Sequence, residues 1–247
     1  MKDRYASLKE GLVGAWIPSV SGSGFLLPDV SGRNNHGTLT NMASNDWVSS
    51  QYGRALDFDG SNDYVEVGNL RLMSGTLSMW LKPTTVTGDL RLFSQLTGAI
   101  NQAGALSINA HLGETGSVWV WHGSAWQRLS ANNTLAAGAW QNLCVIYTGT
   151  NATSYANGVV RNTATTAFSF NGVSAGIGAK FLLNYGNTFP GQLDDIRIYN
   201  RALSESEIRI LAQRPGIGLT TQRRTVYYEL PAPPTRRRNH LLIGNMF

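Results

Sequence analysis

The chain has 247 residues, a formal net charge of +5, 14% charged residues, 27 glycines and a single cysteine. This length suffices for one large all-β domain with its own core, and one thiol excludes an internal disulfide framework. No stretch approaches 18 apolar residues, so no membrane-spanning helix and no membrane partner are expected.

Met1 to Tyr5 opens a polar stretch with no apolar run behind it, so no signal peptide is expected. Leu12 to Trp16 is the first strand signal. Ala55 to Asp59 and Asp63 to Val67 alternate around Gly60-Ser61-Asn62 and predict a hairpin. Asp57, Asp59 and Asp63 read as a set that stabilises that turn, with a metal site as the alternative. Thr76 to Lys82 alternates with period two and stops at Pro83. Leu90 to Leu96, Ala105 to Ala110 and Ser117 to His122 follow at regular spacing, and Trp140 to Thr148 is a long apolar strand. Cys144 lies inside it and reads as a small buried hydrophobe. Asn151 to Ala156 leads into Asn157-Gly158, a strong hairpin-turn dipeptide, and Val159 to Arg161 returns from it. Ser174 to Gly178 and Gln192 to Tyr199 are the last strands. The predicted fold class is all-β: a two-sheet antiparallel sandwich with one short C-terminal helix and an extended arm.

The helix is marked by a capping box, Ser204 at the N-cap and Glu207 at N3, with Leu203 and Ile208 at the staple positions. Arg214 closes it and Pro215-Gly216 stops it. Residues 1–10 are then an N-terminal segment, 11–214 the domain and 215–247 the arm. The domain with its N-terminal segment holds 15 Lys+Arg against 14 Asp+Glu, whereas the arm holds five Arg and one Glu. The body is near neutral and the basic character sits in the arm. No basic face suited to nucleic acid is visible on the body.

Six ordered segments carry a family resemblance. They are Gly11-Leu12-Val13-Gly14-Ala15-Trp16, Asp29 to Thr40, Tyr52 to Gly60 with Asp63-Tyr64-Val65 behind it, Gly138 to Asn142, Tyr155 to Gly158, and Gly191 to Ser204. Together they resemble the laminin-G-like family of concanavalin-A-like jelly rolls, over Leu12 to Leu211. The resemblance implies two antiparallel sheets in a jelly roll and a non-catalytic role in binding glycans or proteins. The arm, with Arg214-Pro215-Gly216-Ile217, an arginine cluster and Leu241-Leu242-Ile243-Gly244, resembles endings of such modules in bacteriophage and prophage proteins.

Many members of that family hold a structural calcium between a loop aspartate and a last-strand aspartate. Asp29 and Asp194 match those positions, with Gly32, Asn34 and Gly37 as carbonyl donors in a loop that suits an oxygen-seeking cation. The alternative is an Asx-turn loop in which Asp29 bonds its own backbone. Trp119 and Trp121 are two residues apart on one strand face, and Trp126 follows closely, forming a candidate glycan-stacking trio. The same rings could serve as core or as an oligomer interface, and a homo-oligomer is expected. Trp16, Trp80 and Trp140 match core positions of the family.

A glycoside hydrolase of this fold needs two carboxylates flanking the scissile bond. The six glutamates do not pair in that way, and Asp194 and Asp195 are adjacent. No enzyme is expected. In the arm, Arg223, Arg224, Tyr227, Tyr228, Arg236, Arg237, Arg238, Leu241, Leu242 and Ile243 are the candidate docking residues. Its apolar residues cannot be buried by an isolated arm, so a partner surface is expected to order it. Three consecutive arginines support only weak, salt-sensitive contact with nucleic acid. The expected function is a phage virion surface component, a head decoration or fibre, docked by the arm and displaying a lectin-like jelly roll. The alternative is a free carbohydrate-binding module.

Overall fold

The computed structural model describes residues 5–70, 74–88, 90–96, 106–109, 115–121, 125–165, 174–178 and 188–219. Their strands form two eight-stranded sheets in which every named pairing is antiparallel. The first sheet runs β14 (Val159–Thr165), β13 (Asn151–Ala156), β12 (Gln141–Tyr147), β7 (Gly75–Pro83), β16 (Pro190–Tyr199), β5 (Gly53–Asp59) and β4 (Trp47–Ser50), and β1 (Leu12–Trp16) pairs with the far half of β16. The second sheet runs β11 (Trp126–Arg128), β10 (Trp119–Trp121), β9 (Leu106–Asn109), β8 (Phe93–Leu96), β15 (Ser174–Ile177), β6 (Tyr64–Gly68), β3 (Gly37–Thr40) and β2 (Leu26–Leu27). The antiparallel sandwich read from the sequence is the fold.

Period-two alternation sets the core. Leu77, Met79 and Leu81 of β7 and Leu143, Val145 and Tyr147 of β12 point inward, against Val65, Val67, Phe93, Val120 and Ile177 of the second sheet, and all are nearly fully buried. Asn157 and Gly158 both have positive φ, 52° and 75°, so the predicted β13–β14 hairpin turns through two left-handed residues.

The expected hairpin around Gly60 does not form. β5 pairs with β4 and β16 in the first sheet, while β6 pairs with β3 and β15 in the second. The turn between them carries the chain across the core edge. Asp63 Oδ2 accepts the Asp59 amide at 2.9 Å, and Asp59 Oδ1 accepts the amides of Ser61 at 2.7 Å and Asn62 at 3.3 Å. Alternation reports which residues face the core, not which sheet receives the strand, so the sequence pattern fits both outcomes. Asp57 takes no part in the turn.

Helix α1 (Glu205–Leu211) closes the first sheet from outside. Ser204 Oγ accepts the Glu207 amide at 3.3 Å while the Glu207 carboxylate accepts the Ser204 amide at 2.8 Å, the predicted capping box. Ile208 and Leu211 are buried in a second apolar cluster with Leu8, Leu12, Ala15, Cys144, Tyr155, Tyr199 and Ile217. Burial pushes the Cys144 thiol up, out of the reactive range. Residues 215–219, expected to leave the body as arm, pack instead on this cluster: Ile217 is 2% exposed, and a Cβ at Gly218 would touch Tyr5 and Leu8.

Candidate functional site

Two regions carry polar chemistry that the core does not explain. The first is the outer face at one edge of the second sheet. β10 and β11 pair Trp119 with Arg128 and Trp121 with Trp126. Val120, between the two tryptophans, is buried in the core, so positions 119 and 121 take the outer register face, as do 126 and 128 opposite them. Trp119 and Trp126 are both half-buried, and Trp119 Nε1 donates to Ser117 Oγ at 2.9 Å. The register continues this row across the sheet through Ser107, Ser94, Gly176, Glu66 and Thr38. A tryptophan edge is thus followed by a row of small and polar positions, of which Ser94 is fully buried and Glu66 and Thr38 reach solvent.

Two arginines the sequence reading did not single out join this edge. The Arg91 guanidinium lies 4.6 Å from the Trp126 ring centroid and the Arg128 guanidinium 6.0 Å from that of Trp119. Arg128 Nε also donates to Ser130 O at 2.7 Å and Nη2 to Asn132 Oδ1 at 2.7 Å. Arg128 could have been found from the i, i+2 pattern with Trp126. Arg91 could not, because its contact crosses from the approach to β8 to the far edge of the sheet.

The second region is the candidate calcium site. Asp29 Oδ1 accepts the amides of Ala15 and Ser31, both at 2.9 Å, and Oδ2 accepts Ser31 Oγ at 2.8 Å and the Asn35 amide at 2.9 Å. His36 Nδ1 accepts the Asp29 amide at 3.0 Å, so His36 is part of the same loop lock. Gly32 and Asn34 have positive φ, 84° and 61°, which these residue types tolerate. Gly37 opens β3, where a Cβ would meet Val65. Asp194 belongs to a separate set: its Oδ1 accepts the Ser19 amide at 3.3 Å, Ser19 Oγ at 3.2 Å and the Asp195 amide at 2.8 Å. Burial, reinforced by the neighbouring Asp195 charge and opposed by these hydrogen bonds, pushes the Asp194 carboxyl up to about 7.

Asp29, as hydrogen-bonded here, does not fit a calcium ion, whereas Asp194 Oδ2 has no partner. A cation needs bare oxygens, and each Asp29 oxygen already faces two hydrogen-bearing donors. Among the described residues no three His, Cys, Asp or Glu side chains gather into a metal-holding group. The Asx-loop alternative describes Asp29.

Asp195 and Arg197 are the pair that sequence reading missed. A bulge in β16 between Asp194 and Arg197, with Asp195 at φ 48°, turns both carboxylates away from the core. Asp195 grips Arg197 through two oxygens, at 2.6 and 2.9 Å, and both residues are almost fully buried. Burial works against the Arg197 charge, but the Asp195 carboxylate outweighs it and holds the guanidinium protonated. Asp195 Oδ2 also accepts the Gly216 amide at 2.8 Å, and Arg197 Nη2 donates to Ile217 O at 2.8 Å. The ion pair therefore latches residues 216 and 217 to the sheet. The arm residues named above, Arg223 to Ile243, lie outside the described residues.

A family model for the concanavalin A-like lectin/glucanase superfamily (Laminin_G_3) matches residues 59–209. Among solved structures, domain 4 of AbnA, an extracellular arabinanase from Geobacillus stearothermophilus solved with arabinotriose, is 21% identical. It has a TM-score of 0.64, over 82% of this chain and 98% of that one. The binding domain of Paraclostridial Mosquitocidal Protein 1 is 19% identical with a TM-score of 0.62. The match covers 83% of this chain but only 52% of that one, about half its length. A Trypanosoma rangeli sialidase is 17% identical with a TM-score of 0.60, over 82% of this chain and 32% of that one. At these identities the likeness shows the fold. No curated protein matches the chain. The sandwich, its register and the family match together place the chain in the concanavalin A-like lectin/glucanase superfamily.

Proposed function

We propose that this protein is a non-catalytic carbohydrate-binding module whose ligand stacks on the tryptophan edge of the second sheet. The supporting observation is that Trp119 and Trp126 are half-buried on one outer register face, with Trp121 at the position opposite Trp126. Flat aromatic faces pack well against the C–H faces of sugar rings. The arabinanase domain solved with arabinotriose supports a saccharide as ligand class. Titration with neutral oligosaccharides, arabinotriose included, tests this. Trp126→Ala is expected to weaken binding about tenfold or more, equivalent to about 1.4 kcal/mol, with the fold intact. Unchanged binding in Trp119→Ala and Trp126→Ala would overturn the proposal.

A second reading concerns attachment. The arm docks on a protein assembly, a virion surface in the reading of its sequence. The latch from Asp195 and Arg197 to Gly216 and Ile217 supports it, because it gives the arm a fixed origin. The informative truncation ends after Leu219, beyond the latch. It should leave the domain folded and abolish incorporation into the source particle; normal incorporation would remove this reading.

A further inference from the structure

The half of the first sheet's outer face that α1 leaves uncovered carries its own polar row. Register places Asp57 of β5 beside Gln192 of β16, and Gln192 beside Lys82 of β7. Trp140 directly precedes the Gln141–Leu81 pair and so lies next to Lys82. All four are half-buried. Tyr52, 36% exposed, stands over the same area, its ring edge-on to Trp140 at 6.2 Å and to Trp80 at 5.3 Å. Trp80 faces this side, because its Nε1 donates to Leu211 O at 3.1 Å.

None of the Asp57 carboxylate, the Gln192 amide, the Lys82 ammonium and the Trp140 indole N–H has a hydrogen-bond partner among the described residues. This contrasts with Asp59 and Asp63, which are consumed by their turn. A further group on the same face is unmatched. Asp194, two residues along β16 from Gln192 and paired with Trp80, is 0% exposed, and its Oδ2 has no partner.

We propose that this row is a second saccharide site, on the opposite side of the sandwich from the tryptophan edge. Its chemistry selects a neutral sugar. Asp57 supplies acceptors, Lys82 and Trp140 supply donors, and Gln192 between them supplies both, the mixture that a run of hydroxyl groups satisfies. Burial and the nearby Asp46 carboxylate push the Asp57 carboxyl up while Lys82 pulls it down, so charges of both signs meet here and no single sign favours an ionic ligand. The Trp140 and Tyr52 rings offer apolar surface to a sugar's C–H face. Neighbouring strands are about 4.8 Å apart, so the three polar side chains span about 10 Å, suited to a short oligosaccharide rather than one ring. With a site on each outer face, one chain bridges two glycan chains.

The test is calorimetric titration of the full chain with gluco-, galacto-, manno- and arabino-oligosaccharides, on the wild type, Asp57→Asn, Trp140→Ala and the double variant Trp119→Ala/Trp126→Ala. Asp57→Asn is isosteric and half-exposed, so it keeps the test open if Trp140→Ala disturbs packing. The expected result is two sites per chain, with one surviving in the double variant and weakened about tenfold or more when Asp57→Asn is added. Loss of all binding in the double variant, binding indifferent to Asp57→Asn in every background, or no binding to any sugar would overturn the proposal. Full binding in the double variant that falls with Asp57→Asn would sink the tryptophan-edge reading and leave this site standing.

Discussion

On the first sheet, α1, the N-terminal turn and residues 215–219 lie over Leu12, Ala15, Cys144, Tyr155 and Tyr199, each at most 8% exposed. On the second sheet, Trp119 and Trp126 face outward half-buried, with arginines against their rings, and among the described residues no helix covers them. Both faces carry large aromatic residues on regular strands, so strand pattern cannot tell them apart. What separates them is the chain that returns after β16. Among the described residues, it brings a capped helix and the latched residues 216 and 217 to one face only. Substitutions on the covered face should therefore act on stability, and those on the open face on binding.

The largest expected effect is on the covered face. Arg197→Met leaves the buried Asp195 carboxylate without its cation, and breaking such a pair costs about 3–5 kcal/mol. Chemical denaturation should show that loss, whereas Trp126→Ala should change stability far less. If the two variants proved equally destabilised, the division between covered and open faces would fail.

Next come paired truncations. Ending the chain after Arg214 removes the Gly216 and Ile217 hydrogen bonds to charged groups, at about 1.5–3 kcal/mol each, together with the burial of Ile217. Ending it after Leu219 removes neither. Thermal unfolding should fall clearly for the first and hardly for the second. Equal melting would mean that the latch does not hold.

A smaller effect attaches to the helix cap. Ser204→Ala should cost about 1 kcal/mol. The Arg201 guanidinium bonds the Glu207 carboxylate and, against the opposing effect of burial and with help from Ser204, lowers its pKa from the usual 4.5 to about 2. A depressed carboxyl stabilises the fold above the unfolded-state value and loses that contribution as pH falls from 4.5 through 2. The pair is partly open to solvent, so the contribution should stay below about 1 kcal/mol. A Glu207→Gln variant should accordingly lose its stability difference from the wild type near pH 2, as followed by urea unfolding at stepped pH.

Most of the fold was legible in the sequence because alternation, Asn157-Gly158 and the Ser204 box are local signals. The Gly60 crossover was not, since the same alternation serves a hairpin and a bridge between sheets. Short strands such as β2 and β11 gave too few residues for a pattern. Trp140, expected in the core, is half-buried because it precedes β12 at the open end of the face. At the tryptophan edge, Trp119, Trp121 and Trp126 could be named from spacing, while Arg91 could not, its partner being 35 residues away in sequence. The Asp195–Arg197 latch was hidden by a bulge, which cancels the rule that adjacent strand residues face opposite ways.

The smallest expected effect is that of calcium. A site specific to the folded state, at a hundredfold excess of calcium over its Kd, would add about 2.7 kcal/mol. In a domain of this size that raises the melting temperature by about 5–10 °C. Because each Asp29 oxygen is already held by two protein donors, and Asp194 bonds Ser19 in a separate set, no such rise is expected between chelator and millimolar calcium. A rise of that size, lost in Asp194→Asn, would instead mean that calcium recruits the Asp194 Oδ2 atom left without a partner. The uncovered half of the first sheet would then belong with the stabilising features rather than with the binding ones.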